Sequence, residues 1–221
     1  MKSMRFHGGA MFRDRTEAGR ELGDALASAG FGADTVVLGI PRGGVVVAAE
    51  VARTLGAPLD VVVPRKVGAP GNPELGLGAI APGVRVLDDR LIRDLGVTDD
   101  YLEAEIEAQE REIARREAAY RTGREPVDVR DRVAIVVDDG IATGGTAVAA
   151  VRWARAAGAR EVVLAVPVAP RQAEGLMRRE ADRFVTLSLP EPFFAVGQWF
   201  GDFDQVRDDE VVALLAEAAG Q

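Results

Sequence analysis

The sequence predicts an α/β protein, a mostly parallel sheet with helices on both faces. Short β-branched runs alternate with helical stretches along the chain. Several of those runs are apolar at every position, as in strands buried on both faces. The segments joining strand to helix are glycine-rich, and strand–turn–helix units in series build parallel sheets. Glu17 to Ser28 reads as a helix with Ala18, Leu22, Ala25 and Leu26 on one face, ended by Gly30 and Gly32. Thr35 to Leu38 is a short strand. Gly39 to Gly44 (Gly-Ile-Pro-Arg-Gly-Gly) is a turn into a small-residue helix, Val45 to Leu55, and Leu59 to Val63 is a second buried strand. Pro64 to Gly78 holds three prolines and four glycines and reads as a long loop. Val84 to Leu87 fits a strand.

Asp99 to Tyr120 is a long charged helix whose Leu102, Ile106, Ile113 and Tyr120 make a narrow stripe: a solvated helix with one seam packed on the body or on a partner. Arg132 to Val137 is a continuous apolar strand, Asp138 to Gly145 a glycine-rich turn and Thr146 to Ala157 a helix. A strand at Glu161 to Val166, a helix at Gln172 to Arg179 and a strand at Arg183 to Leu187 follow. The last part holds an aromatic segment, Phe193 to Phe203, and a helix, Asp209 to Ala219. With no internal repeat and no linker, residues 1–221 read as a single domain. Its core spans about 12–190, with a helical insertion at about 98–122 and an aromatic segment and helix at 190–220. Ligands of such sheets sit beyond the carboxyl ends of the strands. The unusual loops follow Leu38, Val63 and Val137.

Composition removes whole classes of chemistry. Lys plus Arg is 27 against 35 Asp plus Glu, a net charge of −8. That argues against a nucleic-acid coat, which needs a basic face, and against a polybasic membrane surface. There is no cysteine and one histidine, His7, so disulfides, thiol catalysis, Ser-His catalysis and multi-His metal sites drop out. No apolar run reaches the length of a membrane span, and Met1 to Arg15 lacks the apolar stretch of a signal peptide, so a soluble cytoplasmic protein is expected. Only Lys2 and Lys66 are lysines; the other 25 basic residues are arginines, which draws attention to Lys66.

The strongest motif is Val133-Ala-Ile-Val-Val-Asp-Asp-Gly-Ile-Ala-Thr-Gly-Gly-Thr-Ala147. A buried strand ends in two carboxylates, Asp138 and Asp139, and a turn with Gly140, Gly144 and Gly145 enters a helix at Thr146. Glycines let successive N–H groups point inward, and a helix start adds free donors and a positive dipole end, which favour a phosphate. Thr143 and Thr146 can add hydroxyls. Two acids beside an anion cradle would repel a bare phosphate; they suit a sugar's hydroxyls or a bound Mg²⁺ next to it. A ligand carrying both phosphate and ribose satisfies every part. A nucleotide P-loop is absent, since no Lys follows Gly145. Gly76-Leu-Gly78-Ala-Ile-Ala81 matches a loose dinucleotide fingerprint, but Pro82 follows and no helix begins there.

The 133–147 segment resembles the phosphoribosyl-diphosphate (PRPP) motif of type I phosphoribosyltransferases, and the other parts fall where that family would put them. The resemblance implies that family's fold, a central mostly parallel sheet with helices on both faces plus a small variable hood. It implies that Asp138 and Asp139 hold the ribose hydroxyls. It implies that the backbone of Ala142 to Gly145, with Gly140, Thr143, Gly144 and Thr146, holds the 5′-phosphate. It gives Arg42, Gly43 and Gly44 the pyrophosphate loop, often built in the family around a non-proline cis peptide, and Arg65 and Lys66 a mobile basic loop that neutralises the leaving group. The implied reaction is Mg²⁺-dependent transfer of the phosphoribosyl group from PRPP to a small nitrogen acceptor, nucleobase-like, with release of pyrophosphate. Asp138 and Asp139 would reach the metal through water if at all. No nucleic acid or membrane partner is implied; a homodimer is compatible with the resemblance and with the 99–120 helix. One departure stands out. Purine-salvage members often carry an acid near the base in this loop, and Ala142 occupies that position.

Blander readings compete at each place. Gly39 to Gly44 could be an ordinary tight turn, Arg65-Lys66 a solvated surface pair, and Phe193, Phe194, Trp199 and Phe200 core or dimer packing rather than a platform for a ring. Asp202-Phe-Asp204 matches the start of a phosphatase motif, yet only 15 residues follow Val206. A PRPP-sensing regulator on the same fold, no longer catalytic, is the alternative function, and a phosphatase or phosphorylase of sugar phosphates a third.

Overall fold

The computed structural model describes residues 11–220. His7 and most of the Met1–Arg15 stretch lie outside them. Five parallel strands form the central sheet: β1 (Thr35–Gly39), β2 (Leu59–Val61), β6 (Val133–Val137), β7 (Glu161–Val168) and β8 (Arg183–Ser188), in the order β2-β1-β6-β7-β8. Apolar runs without alternation produce this because both faces are covered. Val37, Ile135, Val163 and Ala165 pack with α1 (Arg15–Ser28) and α2 (Gly43–Leu55) on one face. Val36, Leu38, Ala134, Val136, Leu164 and Val166 pack with α5 (Gly145–Ala156) and α6 (Arg171–Glu180) on the other.

The strand order places the site. The chain leaves β1 toward β2 on one side and returns through β6 on the other, so the sheet's topological switch lies between β1 and β6. At such a point the loops leaving two neighbouring strands diverge and open a crevice. The three loops singled out in the sequence follow the three adjacent strands β1, β2 and β6, all at the same edge of the sheet.

The expected long loop at 64–78 is instead most of an antiparallel sheet of β3 (Arg65–Ala69), β4 (Asn72–Ala81) and β5 (Val84–Leu87). Pro70-Gly71 joins Ala69 to its partner Asn72, and Pro82-Gly83 joins Ala81 to Val84. Proline fixes the first turn position, and Gly71 and Gly83 supply φ of 72° and 71° at the second, so the dipeptides are hairpin turns. The dinucleotide-like Gly76–Ala81 stretch is therefore strand. A short helix, α3 (Asp89–Asp94), is a further element that the sequence pattern does not predict.

Helix α4 (Asp99–Tyr120) has the bounds the sequence implies. Ile106, Ile113 and Tyr120 are buried and Leu102 half-buried against the main core, while its outer face carries ion pairs such as Glu112 with Arg115. The chain after α4 is pinned by a buried carboxylate. Asp60 on β2 accepts from Arg121 Nε at 3.0 Å and from the Val127 amide at 2.9 Å, and Arg121 Nη2 donates to the Val61 carbonyl at 2.7 Å. Removing one partner of a buried pair strands the other charge, at a cost of about 3–5 kcal/mol. Arg121→Met should lower the thermal unfolding midpoint by roughly 10 °C in calorimetry; a change within about 2 °C would show that the pair does not hold this connection.

Candidate active site

Two loops meet at the switch point. From β6 come Asp138 and Asp139; from β1 comes Ile40-Pro41-Arg42, entering α2 at Gly43. The amide of Ile40 donates to the Val137 carbonyl at 2.8 Å, which binds the loops together at their base. The Pro41–Arg42 peptide is cis. A Cβ on Gly43 would collide with Asp139 Oδ2, and one on Gly44 would stand 2.8 Å from Asp138 Cα and 2.9 Å from Asp138 Oδ1. These two glycines are where backbone from α2 lies directly against the acids.

The acids are half-buried and differently held. Asp138 Oδ1 accepts from the Asp139 amide at 2.8 Å. Asp139 Oδ2 accepts from Arg15 Nε at 2.7 Å, an ion pair across 124 positions of sequence. Burial pushes the Asp138 carboxyl well above the ordinary range, and the neighbouring Asp139 charge adds to it. Burial also raises Asp139, opposed by the Arg15 guanidinium.

The phosphate-loop candidates follow. The Ile141 amide donates to the Val168 carbonyl at 3.0 Å and seats the loop on β7. Gly144 adopts φ 88° as the cap of α5, a conformation glycine takes without strain, and a Cβ there would meet Met177 Cε at 2.7 Å. Among the described residues, the amides of Gly140, Ala142, Thr143, Gly144, Gly145 and Thr146 have no hydrogen-bond acceptor in the protein, and α5 has no side-chain cap. Gly43 and Gly44 at the start of α2 are in the same state. Two helix starts thus present free donors on either side of two carboxylates. A Cβ on Gly140 would meet Val196 Cγ1 at 2.5 Å, so that glycine also answers to packing against the aromatic segment.

The basic candidates are held by other elements. Arg42 Nη1 stands 3.9 Å from Asp208 Oδ1 at the start of α7 (Asp208–Ala219). That same oxygen accepts from the Tyr120 hydroxyl at 2.7 Å, and burial with the Asp208 charge pushes Tyr120 up to about 12. Arg65 is the first residue of β3 and not part of a free loop; its Nε donates to Gln109 Oε1 of α4 at 2.9 Å, and burial lowers its basicity. Lys66 Nζ reaches across the hairpin to the Glu74 carbonyl at 3.0 Å and carboxylate at 3.1 Å. The polar contacts of Arg65 and Lys66 among the described residues are therefore to the hairpin and α4, not to the acid pair.

The aromatic segment divides. Phe200 is buried and packs on Phe12, Phe193 stacks on Trp199, and Phe203 carries the Arg15 guanidinium 3.7 Å above its ring. Phe194 is 83% exposed. Sequence reasoning missed Arg15, Tyr120 and Asp208 as neighbours of the site; none lies in a motif. Among the described residues no group of three or more His, Asp or Glu side chains is arranged to hold a metal, and no helix is long and apolar enough to cross a membrane.

A family model for the phosphoribosyl transferase domain matches residues 18–201. The chain belongs to that family. A provisionally named phosphoribosyl transferase of Mycobacterium tuberculosis is 49% identical over 209 residues, covering 94% of this chain and 47% of its own length. The chain thus spans about half the length of the curated relatives it matches. The crystal structure of TT1426 from Thermus thermophilus superimposes with a TM-score of 0.79 at 47% identity, over 93% of this chain and 98% of that one. The phosphoribosyl transferase match takes in both glycine loops and the acid pair. The fold is accordingly of the type I phosphoribosyltransferase kind.

The raised Asp138 pKa has a consequence for stability. Below the ordinary Asp value of about 3.9 the carboxyl is protonated in both folded and unfolded chains. As pH rises, the unfolded chain releases its proton first. The stability conferred by the retained proton is lost as pH climbs through the raised folded value, leaving a penalty at neutrality. Asp138→Asn should therefore raise the unfolding midpoint at pH 7 and lose that advantage near pH 4. A midpoint below that of the wild type at pH 7 would contradict this.

Proposed function

We propose that the chain is a phosphoribosyltransferase, moving the 5-phosphoribosyl group from PRPP to a small nucleobase-like nitrogen acceptor with release of pyrophosphate. The observation that carries this is the conjunction at the switch point: amides at Gly140, 142–146 and Gly43–Gly44, unpartnered among the described residues, stand beside two carboxylates. Phosphate fits the donors and a ribose diol fits the acids. In this reading Asp138 and Asp139 hold the ribose hydroxyls, and the Ala142–Thr146 backbone with the Thr143 and Thr146 hydroxyls holds the 5′-phosphate. Arg42 with the Gly43–Gly44 amides holds the pyrophosphate end. A cytoplasmic setting goes with that reading.

Breaking the C1–oxygen bond leaves an oxocarbenium-like sugar and a polyanion. Attack by the acceptor nitrogen from the face opposite the leaving group inverts C1. The protein's part is to hold the sugar, keep water out and offset the charge that grows on the leaving oxygen. Arg42, beside Asp208, is assigned that task, and Lys66, on the β3–β4 hairpin whose residues 72–75 are exposed, would join it if that turn closed over the site. The donor set also fits Mg²⁺. With Asp138 Oδ1 and Asp139 Oδ2 engaged, each acid keeps one oxygen with no protein partner among the described residues, and Mg²⁺ binds through one or two carboxylates, or their waters, plus substrate phosphates. When bound it would neutralise phosphate charge.

Asp138→Asn combined with Asp139→Asn should abolish PRPP binding in calorimetry, and unchanged affinity would remove the ribose role. A panel of purine, pyrimidine and other nitrogen acceptors, supplied with PRPP and Mg²⁺ and read by pyrophosphate release, should identify turnover. PRPP bound with no release across the panel would favour a sensing role over transfer. Lys66→Ala should lower kcat by about tenfold or more while PRPP affinity changes little, since its contact strengthens only as charge develops; equal kcat would take Lys66 out of the reaction.

A further inference from the structure

Arg15 is the best-anchored charge at the site, although no motif contains it. It opens α1, and its side chain is 11% exposed. Its Nε donates to Asp139 Oδ2 at 2.7 Å, one Nη donates to the Asp204 carbonyl at 2.8 Å, and its guanidinium lies 3.7 Å above the Phe203 ring. All three anchors differ in kind: an ion pair, a backbone acceptor and an aromatic face. Each fixes a different direction of a planar group, so the fork can hold only one orientation. Lysine could not reproduce it.

The consequence falls on Asp139. The buried Asp138 carboxyl stands beside it, a Cβ-free Gly43 lies against it, and Arg15 is the cation that meets its Oδ2. Arg15 also lines a cavity of about 300 Å³ with Asp14, Asp202, Asp204, Arg207 and Glu210, so it touches both that acidic hollow and Asp139. The 201–204 backbone is itself tied to the chain before α1, since the Gly201 and Asp202 amides donate to the Phe12 and Arg13 carbonyls at 2.8 and 2.7 Å.

We propose that Arg15 is a positioning residue that fixes the Asp139 carboxylate for the sugar and couples the Phe203–Asp204 segment to that acid. The first half rests on the ribose role proposed above; the second does not. Arg15 takes Oδ2 of Asp139, and its three anchors hold the carboxylate in one orientation. Phe203 acts through Arg15, whose guanidinium lies between its ring and the acid.

A double-mutant cycle tests it. PRPP affinity should fall about tenfold or more in Arg15→Met and in Asp139→Asn. The double variant should be no worse than Asp139→Asn alone, because the guanidinium then has nothing left to position. Phe203→Leu should weaken PRPP in the same direction and lose that effect in the Arg15→Met background. Arg15→Lys should restore little of the affinity. Additive losses in the double variant, or unchanged affinity in Arg15→Met, would overturn the positioning role. Amide hydrogen exchange of ligand-free protein gives the second reading: Arg15→Met and Asp139→Asn should both speed exchange at 202–206. If Asp139→Asn leaves that segment unchanged, the coupling is wrong. Should wild-type protein bind no PRPP while both variants loosen 202–206, the coupling stands and the ribose reading is what fails.

Discussion

At the head of the sheet the start of α2 lies so close to the end of β6 that neither Gly43 nor Gly44 could carry a Cβ without striking Asp139 or Asp138. Most features of the site follow from that approach. It brings the start of one helix up to two carboxylates, and the loop that bears them runs on into the start of α5. Helix N-termini carry about half a positive charge each, which offsets acids placed beside them. Arg15 adds a whole one. Without those three sources of positive potential, adjacent half-buried carboxylates would have no compensation beyond protonation.

The parts of this arrangement visible in the sequence are those written in consecutive residues. Val133 to Val137 is apolar throughout because both faces of β6 are covered, and Asp138, Asp139 and the glycines follow in register. Helix α4 was readable to the residue because its stripe and its Thr98 cap are local. The hairpin was not. Prolines and glycines at 64–83 raise turn density whether the chain wanders or folds back on itself, and only the pairing of Ala69 with Asn72 and Ala81 with Val84 distinguishes the two. The spacing of Pro70-Gly71 and Pro82-Gly83 was the usable signal, since each dipeptide sits between short runs that could pair.

Arg15 and Asp208 were beyond reach for a different reason. Arg15 meets Asp139 across 124 positions, and Tyr120 meets Asp208 across 88. Nothing in the residues near either partner marks it, because a contact of that range is decided by how α1, α4 and α7 dock on one face of the sheet. Single-sequence reading recovers motifs whose chemistry is contiguous, and it loses the counter-charges that tertiary packing delivers. The aromatic segment illustrates the same division. Its rings read as packing ahead of a platform for a ligand ring, and Phe193, Trp199, Phe200 and Phe203 are engaged with each other, with Phe12 and with Arg15.

The balance of charge across the crevice then constrains what can bind. Among the described residues, amides of two helix starts lack acceptors, and two adjoining carboxylates stand beside them. An anion alone would satisfy the amides and be repelled by the acids, whereas a cation alone would do the reverse. A neutral sugar would satisfy the acids and leave the donors unpaired. The proposed ligand, with phosphate at two ends of a hydroxylated ring, meets both demands. Those demands are independent of the reaction that follows. On the proposed reading a transferase and a sensor would share this pocket, and groups outside it would tell them apart.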